Sequence, residues 1–328
     1  MMGKDPDISI VYRALNEERW FAHSLRAVKA QKVNGLTTEL VLVDSGSTDA
    51  TLDIARQFGC RITHISKSKF SFGRSLNQGC DLALGKYLVF ISAHCIPYGD
   101  HWLQKLLQPL IDGQASYCYG RQTGHEASHF SETQVFSKYF PAQSAIPQEG
   151  FFINNANSAI VRAVWEKFRF DEAVTGLEDM VLGKQLVENG YKLAYMADAL
   201  ITHIHEETFL QTRTRYYREA LTLRDILPDI HMGFGDFFRY FGASVTHDIR
   251  VAREQGLKVP MADIIKFRFA QFWGSYQGHN EIKKLSRAQK ERYYYPKPAR
   301  GTGRDHGSPP TIISRSATKS STLRARDN

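Results

Sequence analysis

Apolar positions in the N-terminal part of the chain fall into two alternating patterns. Ile8-Ser9-Ile10-Val11, the ELVLV run at 39–43 and Tyr87-Leu88-Val89-Phe90-Ile91 are short and rich in β-formers. The last shows no period-2 alternation, which suits a strand covered on both faces in the middle of a parallel sheet. Between the first two runs, Phe21, Leu25 and Val28 fall at i, i+4 and i+7, one face of an amphipathic helix. Asn16 is the expected N-cap of that helix, with Glu17 and Glu18 in the first turn where the helix dipole favours acids. Ile54 and Phe58 mark the inner face of a second helix that Gly59 ends. A short strand at 61–65 and a helix at 76–84 follow. The order βαβαβαβ predicts an α/β, doubly wound, mostly parallel sheet with right-handed crossovers. The 86–91 strand stops abruptly at Ser92-Ala93-His94, and Pro97 bars a further central-strand residue.

After a predicted helix at 102–111 the pattern is less regular. Residues 117–122 read as a strand. The 151–161 stretch reads as strand-like, with an odd density of amides at Asn154, Asn155 and Asn157. Glu178-Asp179 opens a helix after Gly176, and 191–205 is strand-like, its end alternating so that His203 and His205 share a face. Helices are predicted at 212–227, 235–255 and 261–278. Phe237, Phe238, Tyr240, Phe241, Phe267, Phe269, Phe272 and Trp273, beside Lys266 and Arg268, suit either packing onto the α/β domain or an interfacial surface. The expected organisation is a catalytic domain at 1–218, a helical extension at 219–280 and a basic tail at 281–328.

Charge changes this picture only at the end of the chain. The formal net charge is +8, and residues 281–328 alone hold 12 Lys and Arg against 4 Asp and Glu. The remainder is balanced, so the basicity does not imply a nucleic-acid partner. The tail has the composition of disorder, and its charge also suits an anionic membrane surface. Cys60, Cys80, Cys95 and Cys118 are widely spaced without a CxxC pair, as in a reduced cytoplasmic protein rather than a disulfide framework or zinc ribbon. The first residues hold no apolar signal region, and no run of about 18 apolar residues occurs, so neither export nor a membrane span is expected.

The polar residues at strand ends are the candidates for chemistry, because ligands of open α/β sheets sit outside the carboxyl ends of the strands. Arg13 follows the first strand, Asp44-Ser45 the second, and Ser92-Ala93-His94 the fourth. No glycine stands at the first strand–helix turn, which argues against NAD or FAD. Asp44 suits either the edge of a nucleotide base or a turn cap. Arg74 and Asn77 share a helical face, and an Arg fork there suits a phosphate or a nearby acid. Glu178-Asp179 at a helix start suits a base that stays ionised, or plain capping. His203 and His205, with His94 at another strand end, are candidate metal ligands.

In this order, the stretches SIVYRALNEE, VLVDSGSTDATLDIA, FSFGRSLNQGCDLALGKYLVFISAHCIP, YGRQ and TGLEDMVLGKQLVENGYKLAYMADALITHIH resemble glycosyltransferase family 2. They look most like its rhamnosyltransferase-type members in bacterial surface-polysaccharide pathways. The resemblance implies a GT-A fold with a C-terminal helical extension and a nucleotide-sugar donor. The acceptor would be a glycan or lipid-linked hydroxyl, and transfer would invert the anomeric centre. By the same resemblance Asp179 would be the general base with Glu178 beside it, and Asp44 would meet the base of the nucleotide. Arg13, Glu17, Ser45, Ser92, Arg74 and Asn77 would line the donor site. Arg215 would stabilise the leaving diphosphate. Family members usually carry Asp-x-Asp where this chain has Ser92-Ala93-His94, so Mn²⁺ or Mg²⁺ would fall to His94 with His203 or His205. The place of work implied is the cytoplasm, at the inner face of the membrane if the acceptor is lipid-linked. Two other readings are a sugar-phosphate nucleotidyltransferase, which expects a Gly-rich basic loop missing here, and an inactive nucleotide-sugar-binding protein.

Overall fold

A computed structural model describes residues 5–281 of the chain. The N-terminal alternation is as expected: β1 (Ile8–Ala14), α1 (Glu18–Lys29), β2 (Thr38–Asp44), α2 (Thr51–Gln57), β3 (Arg61–His64), α3 (Phe72–Leu82) and β4 (Tyr87–Ile91). These strands pair in parallel in the order β3-β2-β1-β4. The chain therefore switches from one side of β1 to the other between β3 and β4. That switch opens a crevice at the carboxyl ends of β1 and β4. All five residues of β4 are buried. Val89 and Ile91 pack into the core on one face of the sheet, Leu88 and Phe90 into the core on the other.

The second half of the sheet is mixed. β5 (Cys95–Pro97), α4 (Trp102–Ile111), β6 (Tyr117–Gly124), α5 (Phe130–Tyr139), β7 (Asn157–Val161), α6 (Arg162–Phe168), α7 (Glu178–Glu188) and β8 (Leu193–His203) complete it. Strand order continues β4-β7-β6-β8-β5, with β7 antiparallel to both neighbours and β5 antiparallel to β8. Pro97 is kept out of the central strands, as expected; it sits in a three-residue strand at the sheet edge, where its missing N–H is tolerated.

The expected strand at 151–161 is ordered as a strand only from Asn157, and the amides explain why. Asn157 accepts a hydrogen bond from Trp102 Nε1 (2.9 Å) and donates to Ala199 O (2.8 Å). Asn154 accepts from Gln122 Nε2 (2.8 Å) and from Ala156 N (3.0 Å). These side chains satisfy an irregular, buried backbone that would otherwise lack partners.

The C-terminal helices are α8 (Phe209–Ile226), α9 (Phe234–Glu254) and α10 (Met261–His279), so residue 218 lies inside α8. α10 presses against α8 at Gly274 and Gly278, where a Cβ would collide with the carbonyl oxygens of Arg213 and Tyr217. Arg268 is not a surface cation as its neighbours suggested. It is buried and bidentate to Asp248, both contacts at 2.7 Å. Phe267 and Phe237 are also buried, while Phe234, Phe238, Tyr240 and Phe269 stay exposed.

Candidate active site where two cavities meet

A cavity of about 200 Å³ fills the crevice between β1 and β4. Arg13, Glu17, Ser45, Ser92 and His94 line it, all donor-site candidates or metal candidates from the sequence. A larger cavity, about 620 Å³, adjoins it and contains Glu178, Asp179, His203, His205 and Arg215. Arg13, Phe72, Ser92, His94 and Asn155 belong to both walls.

Three donor-site candidates are used otherwise. Asp44 is 1% exposed, and its carboxylate accepts from Gly46 N (3.0 Å) and Ser47 N (3.1 Å), with His64 Nδ1 at 3.3 Å. Burial would raise its pKa, but the bonds from Ser47, Gly46 and His64 outweigh that and lower it. It is the cap of its own turn. Arg74 points at Glu172 (Nε to Oε2, 2.7 Å) and at Lys69 O (2.7 Å), outside both cavities. Asn77 is buried and clamps Phe170 O (2.9 Å), Phe170 N (3.0 Å) and Trp165 Nε1 (3.1 Å). Nor does Asn16 cap α1. With φ at 57°, it accepts instead from Thr48 N (2.8 Å), locking the β1 and β2 end loops together.

The acid pair is placed differently from either alternative read in the sequence. Glu178 pairs with Arg13 at 3.2 Å. Asp179 accepts from Asn155 N (2.8 Å) and from Met180 N (2.8 Å) and pairs with no cation among the described residues. The helix start was expected to favour the ionised form of this acid. Burial, then the charge of Glu178, instead raises its pKa to about 7, against the lowering effect of the two backbone donors. A carboxyl there has a proton affinity suited to taking a proton near neutral pH.

His94, His203 and His205 converge. Their ligand nitrogens lie within 4.8 Å of one another. Each Nδ1 has an outer partner: Glu17 Oε1 for His94 (3.0 Å), Gln122 Oε1 for His203 (2.7 Å) and Glu132 Oε1 for His205 (2.6 Å). That leaves the three Nε2 atoms, and the one on His203 is buried without a partner. Ligand imidazoles commonly hold their second nitrogen in this way. Burial, with His205 and His94 nearby, pushes the His203 pKa well down, so this ring is neutral, the form that binds a cation. Arg215 lines the larger cavity already paired with acids. It is held by Glu132 (2.6 Å) and by Glu207 (2.8 Å).

The sequence reading missed Gln122, Glu132, Glu207 and Phe72 as site residues. Gln122 closes the YGRQ stretch and Glu207 follows His205 by two residues, whereas Glu132 stands in a polar segment without a motif.

The site thus joins a switch-point crevice, a buried carboxyl beside it and a histidine cluster at the strand ends. Residues 9–168 match the family described as Glycosyl transferase family 2. The chain is 27% identical over 265 residues to the O-antigen chain rhamnosyltransferase WbaN of Salmonella anatum, covering 75% of this chain and 83% of that one. It is 25% identical over 287 residues to the O-antigen chain rhamnosyltransferase RfbN of Salmonella typhimurium, covering 82% and 90%. In fold it is similar to the mannosyltransferase PcManGT from Pyrobaculum calidifontis in complex with GDP-Man and Mn²⁺, with a TM-score of 0.58 at 13% identity over 85% of this chain and 89% of that one. Over residues 9–168 the chain matches glycosyltransferase family 2; it has the GT-A fold and is a glycosyltransferase. The nucleotidyltransferase reading falls with that assignment. No helix among the described residues is long and apolar enough to cross a membrane.

Proposed function

We propose that this chain is an inverting glycosyltransferase that moves a deoxyhexose of the rhamnose kind from a nucleoside diphosphate to a hydroxyl of a glycan or lipid-linked acceptor, in surface-polysaccharide synthesis. The observation that carries the reading is Asp179: a buried carboxyl with a raised pKa in the larger cavity, whose wall is shared with the crevice at the sheet's switch point. The names of the two Salmonella relatives support the sugar.

The donor nucleotide occupies the smaller cavity, between the ends of β1 and β4, and the acceptor enters the larger one. Asp179 takes the proton of the acceptor hydroxyl as its oxygen attacks the anomeric carbon. The nucleoside diphosphate departs from the opposite face, so the configuration inverts. Glu178 pairs with Arg13 at 3.2 Å, and its negative charge helps keep the Asp179 pKa high. Arg13, on the shared wall, offers a cation toward the departing phosphates.

The histidine cluster fits a divalent ion: three imidazoles within reach of one another, their Nδ1 atoms already engaged, and one Nε2 buried without a partner. His94, His203 and His205 would hold it, and imidazole favours Mn²⁺ over Mg²⁺. When bound, it supplies positive charge that offsets the charge developing on the diphosphate. Lipid-linked acceptors also give a use to the exposed rings of α9 and α10, where Phe234 and Phe238 lie 5.0 Å apart and Phe269 is 5.8 Å from buried Phe237. These rings would rest on the membrane interface.

The test is to incubate the purified chain with nucleoside-diphosphate deoxyhexoses, a glycan or lipid-linked acceptor and Mn²⁺ and determine the product by NMR. A new glycosidic bond of inverted anomeric configuration is expected. Retained configuration would overturn the single-displacement mechanism.

A further inference from the structure

Helix α8 carries two arginines, almost one turn apart, into the wall of the larger cavity, and their surroundings differ. Arg215 is paired with both Glu132 and Glu207. Arg218 has no hydrogen bond or ion pair among the described residues, and its Nε is buried without a partner. What holds its guanidinium is an aromatic face, with Cζ 4.5 Å from the centroid of the Phe72 ring. Arg13 stands over the same ring at 4.9 Å. Gly176 leaves room beside the guanidinium, since a Cβ there would come within 3.4 Å of Arg218 Nε.

A guanidinium presents five donors, and leaving the buried Nε of Arg218 unmet away from water is costly. Burial lowers the Arg218 pKa accordingly, and the more distant charges of Glu219, Glu207 and Glu178 offset only part of that. Such a group is preorganised for an anion that arrives with the substrate. Its position says which substrate. Arg218 lines the larger cavity together with Asp179 and does not line the smaller crevice, which Arg13 and Phe72 share.

We propose that Arg218 binds a phosphate group of the acceptor, close to the hydroxyl that Asp179 deprotonates, so that the acceptor is a sugar phosphate or sugar diphosphate rather than the neutral end of a glycan. The planar fork accepts two phosphate oxygens at once while its face stays on Phe72. The inference rests on the glycosyl-transfer reading above, which assigns the larger cavity to the acceptor.

The test uses the full chain and separates binding from turnover. Isothermal titration with octyl phosphate and with octyl glucoside, in chelator, compares the native protein with Arg218→Gln and Arg218→Lys. Arg218→Lys keeps the charge and guards against a variant that fails to fold. Octyl phosphate affinity is expected to fall about 10- to 100-fold in Arg218→Gln, the range of a lost charge-assisted bond, and by less in Arg218→Lys. Octyl glucoside binding and the affinity for UDP and dTDP with Mn²⁺ stay the same. Unchanged octyl phosphate binding would overturn the proposal. So would a matching loss of nucleoside diphosphate affinity, which would give Arg218 to the donor. Octyl phosphate binding that depends on Arg218 in a protein that transfers no sugar would sink the transfer reading and leave this anion site standing. Sugar transfer by Arg218→Gln at the native rate to a phosphate-bearing acceptor would do the reverse.

Discussion

The two cavities share a wall but are assembled by different rules. The smaller is made mostly of strand ends and the turns that follow them, around Arg13 to Glu17 at β1, Ser45 after β2 and Ile91 to His94 at β4, closed by Phe70, Phe72 and Leu76 at the start of α3 and by Asn155. Most of its residues thus sit at the edge of the parallel half of the sheet. The larger draws on α5, the approach to β7, the start of α7, the end of β8, and the buried sides of α8 and α10. Nothing local brings these together; tertiary packing does. The crevice is thus a property of topology, while the acceptor side depends on how separate elements are seated.

That contrast can be broken by substitution. The largest effect is expected from Asp179→Asn, which should lower kcat by about 10²- to 10⁴-fold, the usual contribution of a positioned base. Nucleoside diphosphate affinity should not change, because Asp179 does not line the crevice. A parallel loss of nucleotide binding would mean the two cavities are energetically one. The native enzyme should also lose activity as pH falls through about 7, since the base acts ionised and its pKa is raised by burial and by Glu178. A pH–rate profile flat from 8 to about 5 would remove it from the role, as an ordinary aspartate titrates below that range.

A smaller effect tests the histidine cluster, which straddles the shared wall. Glu132→Gln should weaken Mn²⁺ binding by about 10- to 100-fold, as for other outer partners of ligand imidazoles. Titration calorimetry reads this directly, and an unchanged affinity would mean that His205 needs no orienting partner. The smallest concerns the outer face of the helical part. Partial flotation of the chain with anionic liposomes should diminish in the Phe238→Ser, Phe269→Ser double variant. Equal recovery in both would rule out these rings as the contact. The basic tail lies outside the described residues.

The same division governs what could be read in the sequence. The strands and helices of the parallel half were legible because buried runs and amphipathic stripes repeat there without interruption, as in β4 and in the Phe21, Leu25, Val28 face of α1. α5 was not legible: it buries Ser131 and Glu132 along with Phe136, so its inner face is not an apolar stripe. β5 is too short to show any period. The histidines were legible from strand alternation and a strand end, but their outer partners came from three other segments. Asp179 was recognised by its motif, yet the direction of its pKa depended on burial, which spacing does not reveal. Asp44, Arg74 and Asn77 show the converse. Their residue types suit a ligand equally well, and only the neighbouring backbone N–H groups, Glu172 and Phe170 decide that they hold turns and helices in place.

The contact at Gly274 and Gly278 has a bearing on how such a chain diversifies. Because α10 touches α8 backbone to backbone, any side chain gained at those two positions would shift the helix that presents Arg215 and Arg218. Selection for a new acceptor can therefore act on residues that never meet a sugar. The crevice at the strand ends can be inherited unchanged while the helix behind it is adjusted.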